Sequence, residues 1–404
     1  MQKNKPQLIS PAGDWPSLRS AVEAGCDCVY FGVKGLNMRN RADNFDLLEL
    51  GKVMEFLHGN EKKGYLALNV IVMDGEIKKV RKILETAKEA AVDGVILWDM
   101  AVFSIAKELG LNIHISTQGS VSNIEALSFF SKLGAHQAVL ARECTLENIK
   151  GISEQIQKQG IPCQLEAFIH GAMCVSISGR CFLSQYTFSK SANRGECLQP
   201  CRREYDIIDK EGEANYTLGC DYVLSPKDLC TIDFLDQLIE AKIGSFKIEG
   251  RKRSPEYIKV VTSVYRRAID AFFDGALNAA LKSKLKDELS NVYNRGFSSG
   301  FYLGRPGDDV SRKLQHNYEK VYIGEVAKFF KKISVAEILI QNESLKQGQE
   351  VLFIGKNTPA CFTTVEQLQQ NHAFVSEVSK GERVGVKLAF TVRRKDKVFL
   401  WRKK

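Results

Sequence analysis

Short apolar runs alternate with longer stretches of helical period over the first part of the chain. Stretches such as Asp14 to Glu23 and Lys78 to Val92 place apolar residues at helical spacing, and Asp14 is a predicted N-cap. Eight βα alternations of this length predict a TIM-type (β/α)8 barrel, an α/β fold, instead of an open doubly wound sheet. The predicted strands are Gln7 to Pro11, Cys28 to Gly32, Tyr65 to Val72, Gly94 to Trp98, Asn112 to Ser116, Gln137 to Leu140, Cys163 to His170 and Ser245 to Glu249.

The interval between the seventh and eighth predicted strands, about residues 171–244, is much longer than the others and predicts an insertion. Because it follows the end of a barrel strand, this insertion should lie at the carboxyl face, where TIM barrels build their active sites. After the eighth strand, Pro255 to Asp274 and Ala279 to Tyr293 are predicted to be trailing helices.

From Tyr318 onward the pattern changes to short strands separated by turn residues, which is typical of a small all-β barrel or sandwich. We therefore divide the chain into a TIM-like barrel, residues 1–317, and a C-terminal β-barrel domain, residues 318–404. The predicted strands there are Val321 to Ala327, Ser334 to Ile340, Glu350 to Ile354, Ala373 to Val378, Val384 to Leu388 and Val398 to Trp401.

The composition is that of a globular protein, because 44% of the 404 residues are apolar and 26% are charged. No run of 18 apolar residues predicts a membrane span, and the N-terminus has no secretory pattern. We expect a cytoplasmic protein that does not enter a membrane.

The net charge of +9 is concentrated in the C-terminal domain. Residues 318–404 contain 16 Lys and Arg against 9 Asp and Glu, a net of +7. In the last strand Phe399 and Trp401 alternate with basic residues, which predicts a cationic face able to bind RNA phosphates. The same pattern is equally typical of a solvated edge strand that lysines protect from aggregation.

Eleven cysteines in a reducing compartment argue for metal binding or catalysis instead of a disulfide framework. The densest group is Cys174, Cys181, Cys197 and Cys201, and its spacing leaves zinc and an iron–sulfur cluster both open. Buried cysteines that simply pack are the third interpretation. Packing is also the expected role of Cys26, Cys28, Cys144, Cys163 and Cys361.

Several motifs occur in a consistent order along nearly the whole chain. The longest is Glu166-Ala-Phe-Ile-His170-Gly-Ala-Met-Cys174-Val-Ser-Ile-Ser-Gly-Arg180-Cys181-Phe-Leu-Ser184, and others are Ser225-Pro-Lys-Asp-Leu-Cys230, Phe246-Lys-Ile-Glu249-Gly-Arg251 and Arg295-Gly-Phe297. This set resembles the collagenase-like peptidase family, family 32 of the peptidases of unknown mechanism.

The resemblance implies an activity that differs from the family's name. Better understood members are oxygen-independent hydroxylation proteins that act on the tRNA wobble uridine with prephenate, on an rRNA cytidine, or on a quinone precursor. The chain length and the C-terminal β domain resemble the tRNA branch. The expected partners are therefore tRNA and prephenate or a related dicarboxylate, and an oligomer with itself or with a related family member.

The same resemblance implies a 4Fe–4S cluster as the cofactor. By motif position, Cys174, Cys181 and Cys197 match three ligands, and Cys201 is the expected fourth. Cys220 and Cys230 are the alternatives for the fourth position.

Other candidate site residues lie at the predicted strand ends. Glu166, His170 and Glu249 are the candidate catalytic acids or bases, although each is equally typical of a packed or ion-paired residue. A small dicarboxylate would require guanidinium partners that bind it in a bidentate manner. The candidate substrate-binding residues are Arg142, Arg180, Arg194 and Arg251.

A collagenase-like peptidase is the alternative from a different class of function. Cys174 near His170 would provide a thiol nucleophile and its base. However, the chain has neither a His-Glu-x-x-His zinc helix nor a Gly-x-Ser-x-Gly elbow. The residues therefore argue against proteolysis, and hydroxylation is what the resemblance implies.

Overall fold

The computed structural model describes residues 5–208, 215–218, 224–304 and 315–404. Its helices are α1 (Trp15–Glu23), α2 (Leu50–His58), α3 (Ile77–Glu89), α4 (Met100–Glu108), α5 (Ile124–Leu133), α6 (Leu146–Gln159), α7 (Leu183–Phe188), α8 (Leu235–Glu240), α9 (Pro255–Phe273) and α10 (Ala279–Leu289). The strands before residue 318 are β1 (Gln7–Pro11), β2 (Cys28–Phe31), β3 (Lys63–Ala67), β4 (Gly94–Leu97), β5 (Ile113–Ile115), β6 (Ala135–Val139), β7 (Gln164–Ala172), β8 (Tyr205–Ile208), β9 (Asn215–Leu218), β10 (Asp228–Cys230), β11 (Ser245–Ile248) and β12 (Phe297–Ser298).

Eight parallel strands form a closed barrel, which confirms the predicted TIM-type fold. Strands β1 to β7 pair in chain order, and β11 pairs in parallel with both β7 and β1. All residues of β2 and β4 are buried. This double burial explains why these strands are continuous apolar runs in the sequence.

Helix α1 begins where the sequence predicts. The Asp14 side chain accepts a 2.8 Å hydrogen bond from the backbone N–H of Ser17, and Pro16 lies in the first turn, where its missing N–H costs nothing. Leu18 and Ala21 then face the barrel core.

Strand β3 ends earlier than predicted, at Ala67 instead of Val72. Beyond it the chain turns at the carboxyl end of the barrel, where the Trp98 ring nitrogen donates a 3.0 Å hydrogen bond to the carbonyl of Asn69. The apolar residues after Ala67, such as Leu68 and Val70, are buried in this turn and not in a strand.

The predicted insertion lies between β7 and the eighth barrel strand, β11. It contains α7, the antiparallel pair β8–β9, and β10, which runs antiparallel to β7 with Asp228 opposite Ala172. Strand β10 also pairs with β12, so the insertion and the segment after α10 extend the barrel sheet.

The C-terminal region consists of antiparallel sheets, which confirms the all-β prediction. Its main sheet has the order β17-β16-β22-β13-β14-β21-β18-β19, and β15 pairs with β20. The strands are β13 (Tyr318–Phe330), β14 (Val335–Ile340), β15 (Leu345–Lys346), β16 (Glu350–Gly355), β17 (Thr358–Thr364), β18 (Leu368–Gln370), β19 (Ala373–Val375), β20 (Glu377–Val378), β21 (Arg383–Lys387) and β22 (Lys397–Lys403).

This region has its own core and also contacts the barrel. Ile323, Val351 and Leu400 belong to a cluster of buried side chains separate from the barrel core. Strand β17 lies against α1, where the backbone N–H of Ala360 donates a 3.0 Å hydrogen bond to the Ser20 hydroxyl. The exact boundary at residue 317 stays a prediction.

The helices in the described part of the chain are short or amphipathic. None of the helices found there combines the length and the apolar character needed to cross a bilayer.

Candidate functional site at the barrel mouth

A cavity of about 300 Å³ lies at the carboxyl ends of the barrel strands. Its wall combines strand ends with the insertion, as expected for a TIM barrel. The charged and sulfur-containing residues that line it are Met38, Arg39, Arg142, Glu143, Met173, Cys174, Cys197, Cys201, Arg202, Lys247, Glu249, Arg251 and Lys252.

An ion pair between Arg39 and Glu249 crosses this cavity wall. Two guanidinium nitrogens of Arg39 donate to Oε1 of Glu249, at 3.1 and 2.9 Å. Glu249 follows β11, whereas Arg39 lies in the loop after β2. Sequence reasoning missed Arg39, because nothing in the local pattern links it to a residue 210 positions away.

Two predicted substrate-binding arginines also line the cavity. Arg251 is buried and donates a 3.0 Å hydrogen bond to Oδ1 of Asn37, and burial lowers its pKa to about 10. The guanidinium of Arg142 lies 3.7 Å from the centroid of the Phe168 ring and donates to the Met173 sulfur at 3.1 Å. Burial is the main cause that lowers the Arg142 pKa.

The cavity has an excess of positive charge. Burial raises the pKa of Glu249, but Arg39, Arg251 and Arg142 together lower it below its ordinary value. Glu249 is therefore a carboxylate shared by three cations, and the arrangement can accept further negative charge from a ligand.

The other two predicted arginines make contacts elsewhere. Arg180 stacks over the Trp98 ring at 4.3 Å and donates to the carbonyl of Gln118 at 2.7 Å. Arg194 pairs with Glu76 and donates to the carbonyl of Ile71. Both link the insertion to neighbouring barrel loops and do not line the cavity.

Glu166 and His170 lie inside the protein, outside the cavity lining. Glu166 is fully buried, pairs with Lys247 and accepts a hydrogen bond from Gln137. His170 packs among aromatic rings, and its Nδ1 lies 3.3 Å from the Tyr265 hydroxyl. Burial lowers the pKa of His170 to about 4, so its ring is neutral at pH 7.

The four predicted ligand cysteines are all free thiols of the insertion, and three of them line the cavity. Burial is the main cause that raises the pKa of Cys201, and the charges of Cys174, Cys197 and Cys181 raise it further. Cys174, Cys197 and Cys201 therefore share the cavity wall, whereas Cys181 lies outside its lining.

Cys174 has a different electrostatic environment from Cys201. Loss of solvent raises its pKa, but hydrogen bonds from Ser176 and from the backbone of Gly179, together with the Arg39 charge, lower it below the ordinary thiol value. The thiolate, which is the form that binds metal or attacks a substrate, is therefore favoured at this position.

The loop that carries Cys197 is fixed by a close backbone contact. Gly195 has a φ of +80°, and a Cβ atom there would collide with the carbonyl oxygen of Asn37. Only glycine meets both conditions. This contact places the cysteine loop against the loop that carries Arg39.

The alternatives for the fourth ligand differ in what the structure says of them. Cys230 is buried on β10 and accepts from the Tyr265 hydroxyl, and burial raises its pKa to about 11. Cys220 lies outside the described residues.

Four thiols form the donor set of an iron–sulfur cluster and also of a structural zinc site. Within residues 5–208, 215–218, 224–304 and 315–404, no three His, Cys, Asp or Glu side chains are arranged to hold a single metal ion. The donor chemistry of the four cysteines suits either centre, whereas their placement in this structure is not that of a formed metal site.

The fold and this site define an α/β-barrel protein whose thiol-rich insertion covers a cation-lined mouth. The sequence profile of Peptidase family U32 matches residues 13–312, and the chain belongs to this family.

Relatives over nearly the full length carry two kinds of name. An "uncharacterized protease" of Methanocaldococcus jannaschii is 44% identical, with 98% of each chain aligned, and a "collagenase" of Porphyromonas gingivalis is 36% identical over the whole of both. The "tRNA hydroxylation protein P1" of Bacillus subtilis is 32% identical, over 90% of this chain and 87% of that one.

Proposed function

We propose that the protein is an RNA hydroxylation enzyme, which replaces the C5 hydrogen of the tRNA wobble uridine with a hydroxyl group. The observation that carries this proposal is that three free thiols, those of Cys174, Cys197 and Cys201, line a cavity that arginines also line. The relative named tRNA hydroxylation protein P1 supports the choice of RNA substrate. Such chemistry implies a cytoplasmic location, where tRNA is found.

The cofactor in this proposal is a 4Fe–4S cluster held by Cys174, Cys181, Cys197 and Cys201. When bound, such a cluster supplies one-electron redox chemistry that amino-acid side chains lack. The lowered pKa of Cys174 favours the thiolate that a ligand needs.

The protein's own residues bind and orient a hydroxyl donor, prephenate or a related dicarboxylate. Arg142 and Arg251 lie at the cavity with few acceptors of their own and are the proposed carboxylate partners. Glu249 accepts a hydrogen bond from Arg39 and so orients a third guanidinium at the cavity wall. A cavity of about 300 Å³ is at the lower end of the range for small-molecule sites.

Anaerobic purification followed by iron, sulfide and zinc analysis tests the cofactor. We expect about four irons and four sulfides per chain. A Cys197→Ser variant should lose the cluster, whereas Cys361→Ser, a buried cysteine of the C-terminal region, should keep it. One zinc per chain without acid-labile sulfide would contradict the proposal.

Nucleoside mass spectrometry of tRNA tests the substrate. Cells that lack the protein should lose 5-hydroxyuridine at the wobble position, and the wild-type gene should restore it. Arg142→Gln should restore little, because the proposed donor loses a bidentate partner. Unchanged wobble hydroxyuridine in the deletion strain would exclude tRNA, leaving an rRNA cytidine or a quinone precursor as the substrate to test.

A peptidase is the second candidate function, favoured by the names of the two relatives that are 44% and 36% identical. The hydrogen bonds of the site argue against a Cys174–His170 catalytic pair. In the described part of the chain, the Cys174 sulfur is hydrogen-bonded to the Ser176 hydroxyl at 3.3 Å, and the His170 ring is hydrogen-bonded to the Tyr265 hydroxyl. Collagen cleavage by the purified protein that is lost in Cys174→Ala would favour this candidate.

A further inference from the structure

Two aromatic side chains of the insertion are unusually exposed. Phe182 is 60% exposed and Tyr186 is 81% exposed. Their rings stack, with centroids 5.9 Å apart and planes inclined by 29°. We call this pair the aromatic platform. Adjacent exposed rings cost hydration free energy and are typical of a binding surface.

The platform is held by the helix that carries it. Phe182 is the N-cap residue of α7 and Tyr186 follows four residues later, so the two side chains lie on the same side of the helix. Ser184, on the other side, is fully buried, and its hydroxyl accepts a 3.0 Å hydrogen bond from the backbone N–H of Leu198. The outward direction of both rings is therefore fixed by the protein.

The platform adjoins the cysteine site. Phe182 directly follows Cys181, and the Cys181 sulfur accepts a 3.4 Å hydrogen bond from the N–H of Leu183 at the start of α7. The Leu198 bond ties the same helix to the residue after Cys197. Two proposed cluster ligands are thus linked to α7. Cys181 is linked by its own hydrogen bond, and Cys197 is linked through its neighbour Leu198.

Two cations that form no ion pair within the described residues lie near the same cavity. Lys252 lines it and, like Arg41, is exposed. A Cβ atom at Gly13 would meet both the Arg251 carbonyl and the Ala42 side chain, so the segment with Arg41 lies beside the segment with Lys252. Like charges on neighbouring segments repel one another, and a bound anion relieves this repulsion. We call Lys252 and Arg41 the cation pair.

The charge of the insertion agrees with an anionic partner. Residues 173–204 contain five Lys and Arg and two Asp and Glu, a net of +3. A single-stranded nucleic acid has two kinds of surface, phosphates that bind cations and bases that stack on aromatic rings. Both complementary features occur at this site. A protein partner would match both features only if it presented carboxylates beside an apolar surface, whereas every single-stranded nucleic acid has phosphates beside bases.

We propose that the aromatic platform stacks against unpaired bases of an RNA loop while the cation pair binds the flanking phosphates. This inference rests on the proposed function and names how the RNA substrate is held. Unpaired loop bases are available for stacking, whereas bases inside a duplex are not. The nucleotide between the two contacts is then directed into the cavity.

Binding of a tRNA anticodon stem-loop by the full-length, anaerobically purified protein tests the platform. The loop carries 2-aminopurine beside the target uridine, and anisotropy of a fluorescein end label gives the affinity. The double variant Phe182→Leu and Tyr186→Leu keeps the apolar bulk but removes both rings. We expect the affinity for the stem-loop to fall about tenfold or more, because the bases lose their stacking contacts with the rings. The fluorescence of 2-aminopurine should rise for the same reason.

Two control variants separate stacking from other effects. Phe182→Tyr combined with Tyr186→Phe keeps both rings and should bind as the wild type does. Phe129→Leu removes a ring that is 59% exposed on α5, and it too should leave binding unchanged. A blunt RNA duplex, which offers no unpaired bases, should bind wild type and the double leucine variant equally.

The cation pair is tested by salt dependence. Lys252→Gln together with Arg41→Gln should reduce the slope of log affinity against log salt by about one to two. The double leucine variant should leave that slope unchanged, because it removes no charge.

Failure of this inference differs from failure of the proposed function. If the double leucine variant binds the stem-loop as tightly as wild type does, the platform is overturned while RNA hydroxylation stands. Loss of self-association in that variant, seen by sedimentation with RNA binding intact, also overturns it in favour of a protein interface. If the wild-type protein does not bind the stem-loop, the proposed function and the inference fail together.

Discussion

Glu166 and Lys247 form an ion pair in the barrel, where their side chains are no more than 3% exposed. Removing one partner leaves the other charge buried and unpaired, which typically costs about 3–5 kcal/mol. We therefore expect Glu166→Ala to lower the free energy of unfolding by about that amount, measured by urea denaturation.

The double variant Glu166→Leu and Lys247→Met distinguishes a structural role for Glu166 from a catalytic one. Because neither charge of this pair remains, the variant should recover most of the lost stability. If tRNA hydroxylation returns with stability, Glu166 is structural. Stability regained with activity still absent would favour the catalytic role that the sequence predicts, provided the donor still binds.

His114 makes stability depend on pH. Burial, followed by the charge of Lys247, lowers the pKa of its ring to about 3, so the folded protein keeps it neutral while the unfolded chain binds a proton near pH 6.5. Stability is then complete above pH 6.5 and falls as the pH drops towards 3, with a slope of at most about 1.4 kcal/mol per pH unit.

Replacing this ring should remove its share of the pH dependence. We expect His114→Phe to reduce the slope of unfolding free energy between pH 6 and pH 4, measured by urea denaturation at several pH values. The exposed His372→Gln serves as the control and should leave the slope unchanged. An unchanged slope in His114→Phe would show that the buried ring does not titrate on unfolding. His170 contributes in the same direction, because its pKa is lowered to about 4.

Some of the individual residues that line the cavity were predictable from the sequence, and others were not. Glu249 and Arg251 were found because they belong to one recognisable motif at a strand end. Arg39 was missed, because its role depends on a loop that reaches across the barrel mouth to Glu249. The hydrogen bonds of Arg202 to Ser225 and to the Pro226 carbonyl likewise form only when the insertion folds back.

Among the elements, the loop that carries Cys197 depends most strongly on one residue. Gly195→Ala would place a Cβ against the Asn37 carbonyl at a φ of +80°. The Asn37 carbonyl is backbone and cannot rotate away as a side chain would. The loop that carries Cys197 must therefore move. We expect iron content to fall severalfold in the anaerobically purified variant, while far-UV circular dichroism of the barrel stays unchanged.

Gly110→Ala provides the matched control for this element. Gly110 also has a positive φ, +71°, but no atom lies within 4 Å of the position that a Cβ would take. This variant should carry only the conformational cost, about 1 kcal/mol, and should retain its iron. Equal iron loss in both variants would show that backbone strain alone, and not the contact with Asn37, controls the site.

The barrel elements were predictable because each strand is a short apolar run bounded by a helix of regular period. Strand β1 matches its predicted bounds, and β11 differs by one residue. Strand β17 was missed, because Pro359 lies within it and proline normally argues against a strand interior. The pairings of β15 and β18 are two or three residues long, too short for an alternating pattern to be recognised.

For the whole molecule, the structure changes what the aromatic residues of β22 mean. Phe399 and Trp401 were expected to alternate with basic residues on an RNA-binding face. Instead the Trp401 ring stacks on Tyr318 and packs beside the barrel core, and Phe399 meets the Tyr322 ring edge-on. These rings therefore contribute to the packing of this region. Any phosphate contact must come from the exposed cations around them.

The C-terminal region carries +7 of the net charge of +9, so its exposed cations are the candidates for binding tRNA phosphates. Changing Arg394, Lys395, Lys397 and Lys403 to Gln removes four exposed charges without touching the core. If tRNA spans both parts of the chain, its affinity should fall, and the slope against log salt should decrease by up to about three, since each neutralised phosphate contributes about 0.7–0.9. A control with four exposed lysines of α3 changed to Gln (Lys78, Lys79, Lys82 and Lys88) alters the net charge equally at a different surface. Equal slopes for both variants would mean that tRNA senses only the overall charge, and that the C-terminal region is no RNA-binding module.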